Sequence, residues 1–124
     1  MSTSETIFVN GDIEFSDLVA LIEPLMPPKR ETTPFGFAYY SGTSNYHIAD
    51  AEPLGDYYDD DRGFPLSKFR FDIGADGPGI YGPERQSMAK QVFDLLSSQT
   101  DLQLLWLHEL SELKASCPTL TATA

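Results

Sequence analysis

The 124-residue chain is short of cations. Eight Lys plus Arg stand against nineteen Asp plus Glu, a formal net charge of −11. That deficit excludes the default modes of nucleic-acid and anionic-membrane binding, which need a basic face. Cysteine is nearly absent too: Cys117 is the only one, so no internal disulfide can form. No apolar run approaches the roughly 18–20 residues of a transmembrane helix. Met1 to Thr6 carries no basic residue and no apolar signal-peptide core. Together these absences lead us to expect a cytoplasmic protein with no membrane partner.

What remains is enough to fold. Hydrophobic residues make up 41% of the chain and charged residues 22%, too apolar a balance for disorder. A domain of this length buries about two thirds of its extended-chain surface and needs no metal or disulfide staple. We expect one domain over residues 1–116 and a flexible tail over 117–124. There is no internal repeat, heptad run or low-complexity tract.

Hydrophobic spacing sets the elements. Ile7 to Val9 reads as a short strand closed by the Asn10-Gly11 turn. Phe15, Leu18, Val19, Ile22 and Leu25 follow helical spacing, with Ser16 or Asp12 as the expected cap and Pro27-Pro28 as the stop. Lys29 to Glu31 reads as loop. Phe35 to Ser41 and Asn45 to Ala49 read as an antiparallel hairpin, with Phe35, Phe37 and Tyr39 on one face. In the alternating run Lys68 to Ile73, Phe69, Phe71 and Ile73 point one way and Lys68, Arg70 and Asp72 the other. Gly74 to Gly82 reads as loop. Pro83 suits the first turn of a second helix, whose stripe runs from Met88 to Leu96. Leu102 to Leu107 is dense enough in apolar residues to be a strand buried on both faces. Leu110 and Leu113 read as a short terminal helix. The order is β-α-β-β-β-α-β. It predicts an α+β fold, a mostly antiparallel sheet of about five strands with two helices on one face.

No residue pattern names a reaction. An EF-hand loop begun at Asp59 meets Phe64 at the glycine position, and one begun at Asp72 meets Pro83 at the glutamate position. Only loose divalent binding by Asp59 to Asp61 stays open. Gly74 to Gly82 lacks the Gly-Lys-Ser/Thr ending of a phosphate loop. His47 and His108 stand far apart, and no cysteine joins them as a zinc ligand. His47 alternates with Tyr46 and Ile48, so it faces the other side of its strand. Nothing beside Cys117 activates it, Ser41 and Ser44 lack a nucleophile-elbow frame, and Trp106 reads as core. We therefore expect no catalytic residue, no cofactor and no resident metal.

The charge is uneven. Residues 1–49 carry a net −4 and residues 62–124 a net −1. Residues 50–61 hold Asp50, Glu52, Asp56, Asp59, Asp60 and Asp61 with no base, a net −6. Tyr57 and Tyr58 lie among them. Carboxylates steer a basic partner toward the encounter, and tyrosines add rigid contact area. These eight residues are the candidate partner-binding site. The bland alternative is a solvated connection that serves solubility alone.

Three stretches carry a resemblance to a family: the opening unit Ile7 to Leu25, the alternating strand Lys68 to Ile73, and Val92 to Trp106 with the acid-and-leucine end Glu109 to Leu113. Together they resemble the small, acidic bacterial immunity proteins of contact-dependent and polymorphic toxin systems. The resemblance implies a stoichiometric inhibitor that blocks a cognate toxin and has no catalytic residues of its own. A basic nuclease cleft is one target an acidic surface suits. Two rivals remain. One is a nucleic-acid mimic or regulatory module that binds another basic protein. The other is a small enzyme using paired carboxylates.

Overall fold

The computed structural model describes residues 2–41, 44–50, 69–78, 83–108 and 112–117. Its elements are β1 (Ser2–Asn10), α1 (Phe15–Ile22), a 3-10 turn (Glu23–Leu25), β2 (Lys29–Thr33), β3 (Gly36–Ser41), β4 (Ser44–Asp50), β5 (Phe71–Pro78), α2 (Pro83–Gln99), β6 (Gln103–His108) and β7 (Glu112–Cys117). The seven strands form one open sheet in the order β2-β3-β4-β5-β1-β6-β7. Every pairing is antiparallel.

The α+β class and the two helices agree with the sequence reading; the strand count and element order do not. The sheet has seven strands rather than about five, and the two additions are its edges. Lys29 to Glu31, expected as loop, belongs to β2 and pairs with Ala38 to Tyr40. Leu113, expected in a short terminal helix, is exposed on β7, and Leu110 lies outside the described residues. Both edge strands lack the apolar alternation that marks a strand. Among the described residues each pairs on one side, and charged side chains on β2 discourage a further strand from adding. β5 also continues through Gly74 to Pro78, expected as loop, because it is flanked by β4 and β1. Apart from Cys117, the expected tail lies outside the described residues.

Each helix lays its stripe on the same face. Leu18, Val19 and Ile22 of α1 and Met88, Ala89, Val92 and Leu96 of α2 pack with Ile7, Val9, Ile48, Phe71, Ile73 and Leu104. Strand alternation sends Phe8, Leu105 and Leu107 to the opposite face, where Phe69 packs on them. Phe69 thus parts from Phe71 and Ile73, with which it was grouped. Phe71 to Ala75 is buried on both faces, not half-buried. β6 is buried on both faces as expected, through Leu104 on one side and Leu105 and Leu107 on the other.

α1 begins after Glu14, which is extended (φ −76°, ψ 146°) and makes no side-chain cap bond. Neither expected cap acts there: Ser16 already lies inside the first turn, and Asp12 precedes the extended entry. At its far end, the 3-10 turn is tied to the sheet. Tyr39 Oη donates to Glu23 Oε2 at 2.6 Å, and Arg30 Nη1 donates to the same oxygen at 2.8 Å. The Arg30 guanidinium also lies 4.6 Å over the Phe37 ring.

The Tyr39 hydroxyl, then Arg30, holds the Glu23 carboxyl below its usual 4.5. Burial, reinforced by Glu23, pushes the Tyr39 phenol far up. A depressed carboxylate stabilises the fold above its unfolded pKa and loses that contribution as pH falls through its folded value. Tyr39→Phe is therefore expected to cost about 1 kcal/mol at neutral pH. The deficit should shrink below pH 4.5 as Glu23 protonates. Thermal unfolding of both proteins across that range checks it; a deficit that is constant with pH contradicts the assignment.

Candidate functional site

Two buried carboxylates sit in the central strands, and each meets one of the chain's two histidines. On the helix-bearing face, Glu5 of β1 is 2% exposed. Its Oε1 accepts from Trp106 Nε1 at 2.9 Å, and its Oε2 pairs with His108 Nδ1. The register explains the meeting: Glu5 lies opposite His108, and Ile7 opposite Trp106. Trp106 leans on Phe93 of α2, with ring centroids 6.2 Å apart. Trp106 is therefore half-buried at the helix–sheet seam and does more than fill the core. A carboxylate this deep needs such partners, because burying it alone costs several kcal/mol.

The second pair lies on the face without helices. Asp72 of β5 is 3% exposed. Its Oδ1 is 2.6 Å from His47 Nε2, while the His47 side chain stays 41% exposed. His47 is the register partner of Gly74. A Cβ on residue 74 would run into the imidazole, 2.8 Å from Nε2 and closer still to Cε1. The missing side chain is what lets the ring lie across β5 and reach Asp72. Beside the ring is a depression of about 370 Å³, whose lining includes Ser4, Thr6, Tyr40, Asn45, His47 and Asp76.

Sequence reasoning placed His47 on the correct side of its strand but missed both pairs. Asp72 reads as an outward, solvated charge in an alternating run, and Glu5 precedes the stretch that reads as a strand. The signal that was available is scarcity: two histidines in a chain so rich in acids. Among the described residues, no group of three or more His, Cys, Asp or Glu side chains converges as a metal site.

Of the eight residues singled out for partner binding, only Asp50 is described. It closes β4, its N–H donates to the Phe35 carbonyl at 2.8 Å, and its Oδ2 lies 3.4 Å from Arg70 Nη2. Arg70 in turn sits 4.7 Å over the Phe71 ring. Glu52, Asp56, Tyr57, Tyr58, Asp59, Asp60 and Asp61 lie outside the described residues. The topology does locate their attachment. Asp50 and Phe71 are register partners, so residues 51–70 leave and re-enter the sheet at one point. No described helix is long and apolar enough to cross a membrane.

Among known proteins, the chain matches no family model, no curated protein and no solved structure.

Proposed function

We propose that the protein is a non-enzymatic binding module that neutralises a basic protein partner through the acidic run at residues 50–61, in the manner of an immunity-type inhibitor. One observation carries this reading. β4 and β5 are adjacent antiparallel strands, and Asp50 pairs directly with Phe71. A hairpin joins such strands with about 2–5 residues. This chain places twenty residues there, numbers 51–70, and they begin with its densest negative charge. Long connections inside compact domains tend to carry function.

The physics of the encounter follows from the charge. Six carboxylates without a base between them raise the on-rate of a cationic partner and repel acidic competitors. Tyr57 and Tyr58 supply the rigid aromatic contact area on which interface energy concentrates. Asp50 opens the run beside Arg70, whose Nη2 lies 3.4 Å from its Oδ2.

The test is comparative capture from source-cell extract at low salt, using the natural protein and its Asp59→Asn/Asp60→Asn/Asp61→Asn variant. The expected result is a basic protein retained by the natural chain, released by high salt, and depleted on the variant. Equal retention by both, or retention that salt does not weaken, contradicts the proposal.

A further inference from the structure

The depression beside His47 is negative whichever protonation state the histidine adopts. The His47–Asp72 pair carries either −1 or 0. Asp76 is exposed and adds a further −1. Among the described residues, no lysine or arginine lines the site. The depression is negative in either state, on a chain that is itself −11. Its remaining polar groups are acceptors or can accept: the hydroxyls of Ser4 and Thr6, the amide oxygen of Asn45 and the phenol of Tyr40. Tyr40 also offers a ring on which a planar cation can stack. A metal ion suits the site less well, since no three ligating side chains converge among the described residues.

We infer that this depression seats a guanidinium side chain, an arginine projected by the basic partner. This rests on the proposed function and names the partner's contact chemistry. Arginine fits because its flat fork carries five donors for several separate acceptors, and because it stacks on aromatic rings. The distance is compatible with one partner. Asn45 lies five residues along β4 from Asp50, roughly 17 Å at strand rise. A standard interface covers about 800 Å² per partner, roughly 30 Å across, so it reaches from the depression to Asp50, where the acidic run begins.

The probe is a pair of blocked tripeptides, Gly-Arg-Gly and Gly-citrulline-Gly, titrated into the isotopically labelled protein and followed by amide NMR shifts. Citrulline keeps the shape of arginine and removes its charge. The expected result is saturable shifts at Asn45, His47 and Asp76 with the arginine peptide, and at least fivefold weaker binding of the citrulline peptide. Asp76→Asn, at an exposed position, is expected to weaken the arginine peptide by roughly threefold, as loss of one exposed charge does. Absence of shifts at these three residues overturns the inference. So does an equal response to citrulline, which marks a neutral polar ligand, or indifference to Asp76→Asn. The titration needs no partner protein, so the two ideas fail separately. Salt-sensitive capture without peptide binding leaves the proposed function standing and removes the arginine seat; peptide binding without a captured basic partner does the reverse.

Discussion

Glu5→Leu is expected to destabilise the fold by about 2–4 kcal/mol, because it leaves two part-buried donors without their acceptor, each at about 1–3 kcal/mol. Glu5 is 2% exposed and serves two donors at once, the Trp106 indole and the His108 imidazole. Leucine fills the space but offers neither nitrogen an acceptor. A domain of this size has a total stability of about 5–15 kcal/mol, so the loss is a large share of it. Glu5→Gln keeps one oxygen for Trp106 and should cost less, about 1–2 kcal/mol. Pairing Glu5→Leu with His108→Leu should recover part of the loss, because replacing both partners by apolar groups leaves no donor without its acceptor at that position. Urea unfolding of the four proteins checks this order. A Glu5→Leu variant no weaker than Glu5→Gln shows that the buried carboxylate is dispensable.

Gly36→Ala is the second large effect, at about 3 kcal/mol, the upper end of the cost of overpacking. Gly36 opens β3 opposite Ala49 of β4. A Cβ there would overlap the Ile48 carbonyl oxygen and lie 2.8 Å from Phe15 Cζ and 3.1 Å from the Ala49 Cα. The carbonyl belongs to the backbone of an internal strand and cannot swing aside. Phe15 is held as well, between Phe37 and Phe71 at centroid distances of 6.1 and 6.0 Å. Phe15→Leu relieves only the aromatic contact, so combining it with Gly36→Ala should bring no rescue. An unchanged Tm in Gly36→Ala shows that the β3–β4 pair yields more readily than this geometry implies.

The elements legible in the sequence are those whose burial writes a period into it. α1, α2, the β3–β4 hairpin and the two-sided burial of β6 all follow from apolar spacing. β2 reads Lys-Arg-Glu-Thr-Thr, and only its pairing with β3 makes it a strand. β7 holds one exposed leucine and is a strand for the same reason. Gly74 and Gly77 argue for loop locally, and pairing to both neighbours overrides them. At Gly74 the glycine is structural, because the His47 ring occupies the space a side chain would need. The buried carboxylates were illegible for a related reason. Aspartate and glutamate in a strand read as solvated unless the opposing strand is known, and register is what brings His108 to Glu5 and His47 over β5 to Asp72. The acidic run was legible throughout as charge. The fold adds that the run opens a connection, residues 51–70, whose flanking residues Asp50 and Phe71 form one register pair.

The most direct measurement is the association rate between the protein and its captured basic partner, as a function of salt, for the natural chain and the Asp59→Asn/Asp60→Asn/Asp61→Asn variant. Electrostatic steering raises association by about 10–1000-fold and fades as ions screen it. The predicted result is a natural-chain rate that falls steeply with salt, a variant rate roughly tenfold lower at low salt with a flatter slope, and convergence of the two at high salt. Superimposable rates across the whole salt range would contradict the docking role of residues 50–61.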